Sequence, residues 1–178
     1  MDNQTLAEDF VKQANAWHRL GEYEQAIAAY RQAIALMPGS PVYAAYHFMI
    51  GDMLAEMQRY EEAVLAFRET VKAVSHYDEA WFNLGRCLLL LERADEAAPA
   101  FDRYLEIVSP RWGDETTPPL YDLELVERTS QAWYYGALAH ARLGHTGQAA
   151  QYVKQALQLR LSWQRRVQEE PLLQPYLR

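Results

Sequence analysis

A single cysteine, Cys87, occurs in 178 residues, which excludes an intramolecular disulfide and any cysteine-based zinc site. Glycine and proline are scarce at 8 each, while 50% of the residues are hydrophobic. That balance suits a chain with a buried core rather than a disordered one, at about the length of one domain. Lys and Arg number 17 against 24 acids, a net charge of −7. A phosphate backbone has to be neutralised by clustered basic residues, and no such run exists, so nucleic acid is not expected as a partner. The one local basic group, Arg160, Arg165 and Arg166, is interrupted by Leu161 and Trp163 and reads as a solvated helix face as readily as a patch. The longest apolar run, Cys87-Leu88-Leu89-Leu90-Leu91, is far short of the roughly 20 residues that span a bilayer, so no membrane insertion is expected. The opening MDNQTLAEDF lacks the basic start and apolar core of a secretory signal, which points to a cytoplasmic location. Signals for catalysis are missing as well. There is no glycine loop to cradle a phosphate, no convergent nucleophile and base, and His140 and His145 are five apart, not one helical turn. Neither a metal, a cofactor nor an enzymatic activity is expected.

What the chain does contain is a period. Ala26, Ala63, Ala97 and Ala149 form one column, and Tyr30, Phe67, Phe101 and Val153 follow four residues later. Ala14, Gly51, Gly85 and Ala137 form a third column twelve residues earlier, and every column keeps the spacings 37, 34 and 52. Each unit reads as two helices. In the third, Trp81, Leu84 and Leu88 recur three and four apart, a break follows near Glu92 and Arg93, and Ala97, Phe101 and Tyr104 share a second face. Small residues such as Gly85 and Ala97 let the paired helices approach closely. Such a unit cannot bury its apolar face alone, so the units must stack.

AWFNLG (80–85) and LGEYEQAIAAYRQAIALMP (20–38) resemble the tetratricopeptide repeat family, whose pattern runs Trp-x-x-Leu-Gly, Gly-x-Tyr-x-x-Ala, an aromatic, an Ala and a closing Pro. The resemblance implies an all-α fold, a helix-turn-helix tetratricopeptide solenoid wound as a right-handed superhelix. It predicts about four repeats in one domain over 1–178, near 7–40, 44–77, 78–111 and 130–163, an insertion at 112–129, and a C-terminal capping helix within 164–178. Gln58 and Glu92 depart from the pattern at the turn glycine, and Thr146 replaces the Tyr of the second helix. Pro99 falls early in a second helix, where it removes a hydrogen bond and favours a bend. The three extra residues of the first spacing sit in MPGSPVY, with Ser40 as N-cap before Pro41, so the next helix is expected to start one turn early.

The resemblance also implies a groove lined by the first helix of each unit, holding an extended peptide or a partner's helix. On the face opposite the packing residues, one row reads Val11, Phe48, Phe82 and Tyr134, and one turn on come Asn15, Asp52, Arg86 and Leu138. Glu79 lies a turn before Phe82, and Asn83 beside it. An aromatic stripe would accept apolar side chains while Asp52, Asn83 and Arg86 orient the ligand; the competing reading is that neighbouring helices already bury the aromatics. Clamping of a chaperone's C-terminal carboxylate, which some members perform with Lys and Arg, is not implied. Val11, Met49, Glu79 and Asn83 occupy those positions here, and only Asn15 matches. Trp17, Trp81 and Trp133 read as core anchors. Cys87 reads as a buried inert thiol in preference to a reactive one, and His140 as a hydrogen-bonded core residue in preference to a pH switch.

The insertion WGDETTPPLYDLELVERT (112–129) divides into a loop, with Thr117 as N-cap before Pro118, and a helical pattern from Leu120. It is expected to extend the fourth unit's first helix by about three turns. It carries Asp114, Glu115, Asp122, Glu124 and Glu127 against Arg128, either a solvated acidic face or a wall steering a basic partner, with Trp112, Leu120 and Tyr121 as accessory contacts. At the end of the chain Leu159, Trp163 and Val167 share a helical stripe. The EEPLLQPYLR that follows resembles the tail that closes many bacterial arrays, the alternative being a tail that occupies a groove. The expected function is a protein-protein interaction scaffold for a protein or peptide ligand, as an assembly factor or chaperone-like adaptor. The alternative is a self-associating module, a homo-oligomer with no separate ligand.

Overall fold

The structure, a computed structural model, describes residues 2–38, 41–112, 122–159 and 161–177. Among the described residues there are nine α-helices, three short 3-10 turns and no strand. The helices sort into two compact units, Met1–Ala80 and Trp81–Arg178, with the boundary inside one helix.

In the first unit α1 (Asn3–Arg19) packs on α2 (Tyr23–Leu36), and α3 (Ala44–Glu56) on α4 (Tyr60–Ala73). Asp2 starts α1 by accepting a hydrogen bond from the Thr5 amide at 2.7 Å, satisfying a donor that has no partner inside the helix. The repeat columns form the core: Ala14, Ala26, Tyr30 and Ala33 between α1 and α2, Gly51, Ala63 and Phe67 between α3 and α4. A Cβ on Gly51 would stand 2.7 Å from the Phe67 ring, so the ring occupies the room that the missing side chain leaves. The early start expected from Pro41 takes the form of a 3-10 turn, Pro41–Tyr43, leading into α3; Ser40 lies outside the described residues. Trp17 is not a core anchor. It is 39% exposed; among the described residues α1 packs chiefly on α2.

The second unit contains most of α5 (Asp78–Leu90), then α6 (Ala94–Val108), α7 (Leu123–Arg142), α8 (Thr146–Leu159) and α9 (Leu161–Glu169). Phe101 lies against Gly85, where a Cβ would come within 2.9 Å of the ring. α6 runs unbroken through Pro99, which is exposed and has no N–H to offer the Asp95 carbonyl. In the last pair the close approach belongs to Gly136, not to its column neighbour Ala137: a Cβ on Gly136 would stand 2.8 Å from Tyr152. α7 starts at Leu123, fourteen residues before Ala137, whereas α3 and α5 start seven before Gly51 and Gly85. The extension is therefore about two turns, shorter than the three expected, because Asp122 ends it: its carboxylate accepts from the Leu125 amide at 3.0 Å. Trp163, Val167 and Leu173 are buried, so α9 and the tail pack back onto α7 and α8. Thr117, the proposed loop and Leu120 lie outside the described residues, as does the side chain of Leu159.

All four turns inside the helix pairs share one geometry. At the end of α3 the Gln58 amide donates to the Ala55 carbonyl at 2.9 Å and the Arg59 amide to Leu54 at 2.8 Å. The same pair of bonds closes α1 around Gly21, α5 around Glu92 and α7 around Gly144. This double closure requires a left-handed residue at its centre, and φ is 77° at Gly21, 59° at Gln58, 60° at Glu92 and 73° at Gly144. The departures at Gln58 and Glu92 thus leave the turn intact at a conformational cost.

Candidate functional site

The residues picked from the sequence divide between the two units. In Met1–Ala80, Val11 helps line a hollow with Gln4, Glu8, Val42 and Tyr46. Asn15 accepts a hydrogen bond from the Tyr30 hydroxyl at 2.6 Å, so its amide oxygen is already engaged by the core. Phe48 is half-buried, stacked on Tyr77 at 5.1 Å and tilted against Phe67. Asp52 and Glu79 are half-buried.

In Trp81–Arg178, Phe82 does not face outward. It is 5% exposed and packs between the rings of Phe101 and Tyr104. Tyr134 is half-buried with its ring 5.1 Å from Trp163 of α9. Burial, then the nearby Glu170 and Tyr135, push its hydroxyl above the usual tyrosine range, against a smaller opposite pull from Arg166. The aromatic row therefore spends much of its surface inside the protein. The cause is local: aromatics from the second helix and the cap reach the same face that the first-helix pattern marks as open.

The residues one turn further on behave differently. Arg86 is exposed, and its guanidinium lies 5.8 Å from the centre of the Phe82 ring. Arg86 and Leu138 converge from α5 and α7 on a cavity of about 220 Å³, completed by Leu89, Leu90, Tyr135 and Arg142. Leu90 is 57% exposed. Asn83 is half-buried and lies outside this set. The sequence reading missed Leu90 and Arg142, although both were within reach. They follow Arg86 and Leu138 by four residues, the next turn of the same helical face.

The electrostatics single out this cavity. Among the described residues of the unit, Arg93 pairs with Glu96, Arg103 with Glu106, Arg128 with Glu124 and Arg165 with Glu169. Arg86 and Arg142 have no such carboxylate among the described residues. The described acids of the insertion are spent locally: Asp122 caps α7, Glu124 pairs with Arg128, and Glu127 accepts from the Trp163 indole at 3.2 Å. Leu120, Tyr121 and the side chain of Trp112 lie outside the described residues.

A second polar group stands between α6, α7 and α8. His140 is buried and its Nε2–H donates to Asp102 at 3.0 Å, while the Tyr152 hydroxyl donates to the same carboxylate oxygen at 2.6 Å. The Nδ1 atoms of His140 and His145 face each other at 3.3 Å. Burial pulls the Asp102 carboxyl upward, but the bonds from His140 and Tyr152 and the attraction of both histidines outweigh it and hold the group below its ordinary range. Burial, with Asp102 alongside, drives the Tyr152 hydroxyl well above its own. The hydrogen-bonded reading of His140 fits this arrangement. Cys87 is a buried thiol in no disulfide, and among the described residues no group of three or more His, Cys, Asp or Glu could hold a metal. No helix among them is long and apolar enough to cross a membrane.

The helix pairs have close counterparts in known structures. MamA superposes with a TM-score of 0.73 at 13% identity, covering 96% of this chain and 80% of that one. YrrB, described as a TPR protein with an unusual peptide-binding site, superposes at 0.65 with 21% identity, covering 84% and 66%. In sequence, the TPR repeat-containing thioredoxin TTL4 of Arabidopsis thaliana is 34% identical over 91 residues, 51% of this chain and 13% of that protein. The chain spans only 11% to 21% of the curated relatives it matches, so their whole-protein names describe far more than this fold. The family profile described as tetratricopeptide repeat matches residues 11–78 and 48–111, over half of the 178 residues. With helix pairs closed by four like turns, small residues seated under aromatic rings and that profile over the first three pairs, the chain belongs to the tetratricopeptide repeat family.

Proposed function

We propose that this chain is a protein-interaction scaffold that holds a peptide or helix of a partner against the outward face of its first helices. The observation that carries the reading is the cavity between α5 and α7. Two positions picked from the sequence as groove residues, Arg86 and Leu138, converge there, beside an aliphatic surface that the described chain leaves uncovered. The peptide-binding site named for the similarly folded YrrB supports the same class of role. The aromatic row contributes less than its spacing suggests, since Phe82 is core, and Phe48 and Tyr134 serve as half-covered margins.

A random dodecapeptide library displayed against the immobilised chain tests this. Enriched peptides should lose binding to a Leu138→Asp variant, which places an ionised group on the apolar wall and leaves the helical signal at 222 nm unchanged. No enrichment over the bare support, together with a mass that rises with concentration in sedimentation, would replace the scaffold by the self-associating module.

A further inference from the structure

We infer that the α5–α7 cavity selects its partner by an acidic side chain set beside a bulky aliphatic one. The inference rests on the scaffold reading and adds the chemistry of the ligand. Leu89, Leu90, Leu138 and the Tyr135 ring supply the apolar wall, and Arg86 and Arg142 supply the polar groups. A guanidinium is donor-only and stays charged. The group that satisfies it is a carboxylate in planar two-bond contact, and the described chain brings none to either arginine. Arg86 also has a fixed surface to rest on, because the Phe82 ring 5.8 Å from its guanidinium is buried among core rings. A donor already positioned loses less freedom when a ligand arrives.

The contrast with the first unit sharpens the assignment. One hollow there is lined by Arg31 together with Glu62 and Glu69, and Arg31 pairs with Glu62 at 3.8 Å. With two acids to one arginine, that surface offers both signs of charge. The α5–α7 cavity offers only one. The chain as a whole is acidic at −7, so an acidic peptide is repelled by the bulk of the surface and attracted within a Debye length, about 8 Å in physiological salt, of these two arginines. The same pair rejects a ligand that brings Lys or Arg to the aliphatic wall.

The test uses the full chain and the dodecapeptide library, with the C-termini of the peptides fused to the coat so that no terminal carboxylate is offered. Peptides enriched on the parent should carry Asp or Glu next to Leu, Ile or Phe. In solution, as acetylated amides, they should bind the Arg86→Gln and Arg142→Gln variants at least fivefold more weakly, with unchanged melting temperatures. Selection on the Arg86→Glu/Arg142→Glu double variant should return Lys or Arg in place of the acid. Enriched peptides without an acid, or binding to the double glutamine variant within twofold of the parent, would overturn the inference and leave the scaffold standing. A library that yields no binder at all would sink both. Peptides that bind only when phosphoserine replaces the acid would assign the cavity to phosphate and equally overturn the proposal.

Discussion

Replacing Gln58 or Glu92 by glycine should stabilise the protein. Both residues sit at the centre of a helix-ending turn with φ of 59° and 60°, where the first and last pairs have glycine. A side chain in this left-handed region costs about 1–2 kcal/mol, because Cβ crowds the following carbonyl. Glycine removes that crowding but has more freedom to lose on folding, which returns about 0.5–1 kcal/mol. The net gain is about 0.5–1 kcal/mol per site. Both side chains are exposed, so little contact is lost. The two turns belong to separate compact units, so the gains should add. For a chain of this length each site is worth roughly 2–4 °C per kcal/mol in melting temperature. Urea unfolding followed at 222 nm should show the midpoint rising with an unchanged slope. The reciprocal changes give the control. A Cβ on Gly21 or Gly144 meets nothing within 4 Å, so Gly21→Ala and Gly144→Ala isolate the backbone cost and should lose about 1 kcal/mol. A midpoint that stays level or falls in both glycine variants would refute the argument that these turns carry conformational strain.

Three other outcomes follow from the packing. Gly85→Ala and Gly136→Ala, whose Cβ atoms would stand 2.9 Å and 2.8 Å from the Phe101 and Tyr152 rings, should each cost about 1–3 kcal/mol in the same urea assay. The lowered Asp102 carboxyl stabilises the fold at pH values above the ordinary 3.8 and loses that contribution as pH falls through its folded value. Asp102→Asn should therefore flatten the acid limb of the stability profile, and an unchanged limb would remove the role given to His140 and Tyr152. Cys87, buried at the back of α5, should react with a thiol reagent only at the rate of unfolding, read as absorbance of the released chromophore.

The period, the helix pairs and the small residues beneath the rings were legible because they obey local spacing: Gly51 and Gly85 are marked by Phe67 and Phe101, sixteen residues on. Facing was harder. The position of Phe82 on its own helix says which side it takes, but its burial depends on Tyr104 of the partner helix, a long-range fact that spacing does not contain. Gly136 was hidden for the same reason, since Tyr152 stands one residue before the column in which the other second helices carry their ring. The start of α7 was set by a capping bond at Asp122 that overrode the apolar pattern upstream. Arg142 was legible in principle, one more turn along a face already traced.

Tyr135 belongs to two surfaces at once. One part of its ring walls the cavity, and the ring stands edge-on to Trp163 of α9 at 6.3 Å. Trp163 is itself held by Glu127 at its indole nitrogen and by the Arg166 guanidinium over its face at 4.7 Å. An occupant that shifts Tyr135 thus changes the surroundings of a buried indole, and loosening the cap deprives the cavity of a fixed wall. By thermodynamic reciprocity the two events carry the same coupling energy in either direction. In a chain that binds a partner as proposed, the emission of Trp163 would report occupancy of the cavity, and α9 would take part in setting its affinity.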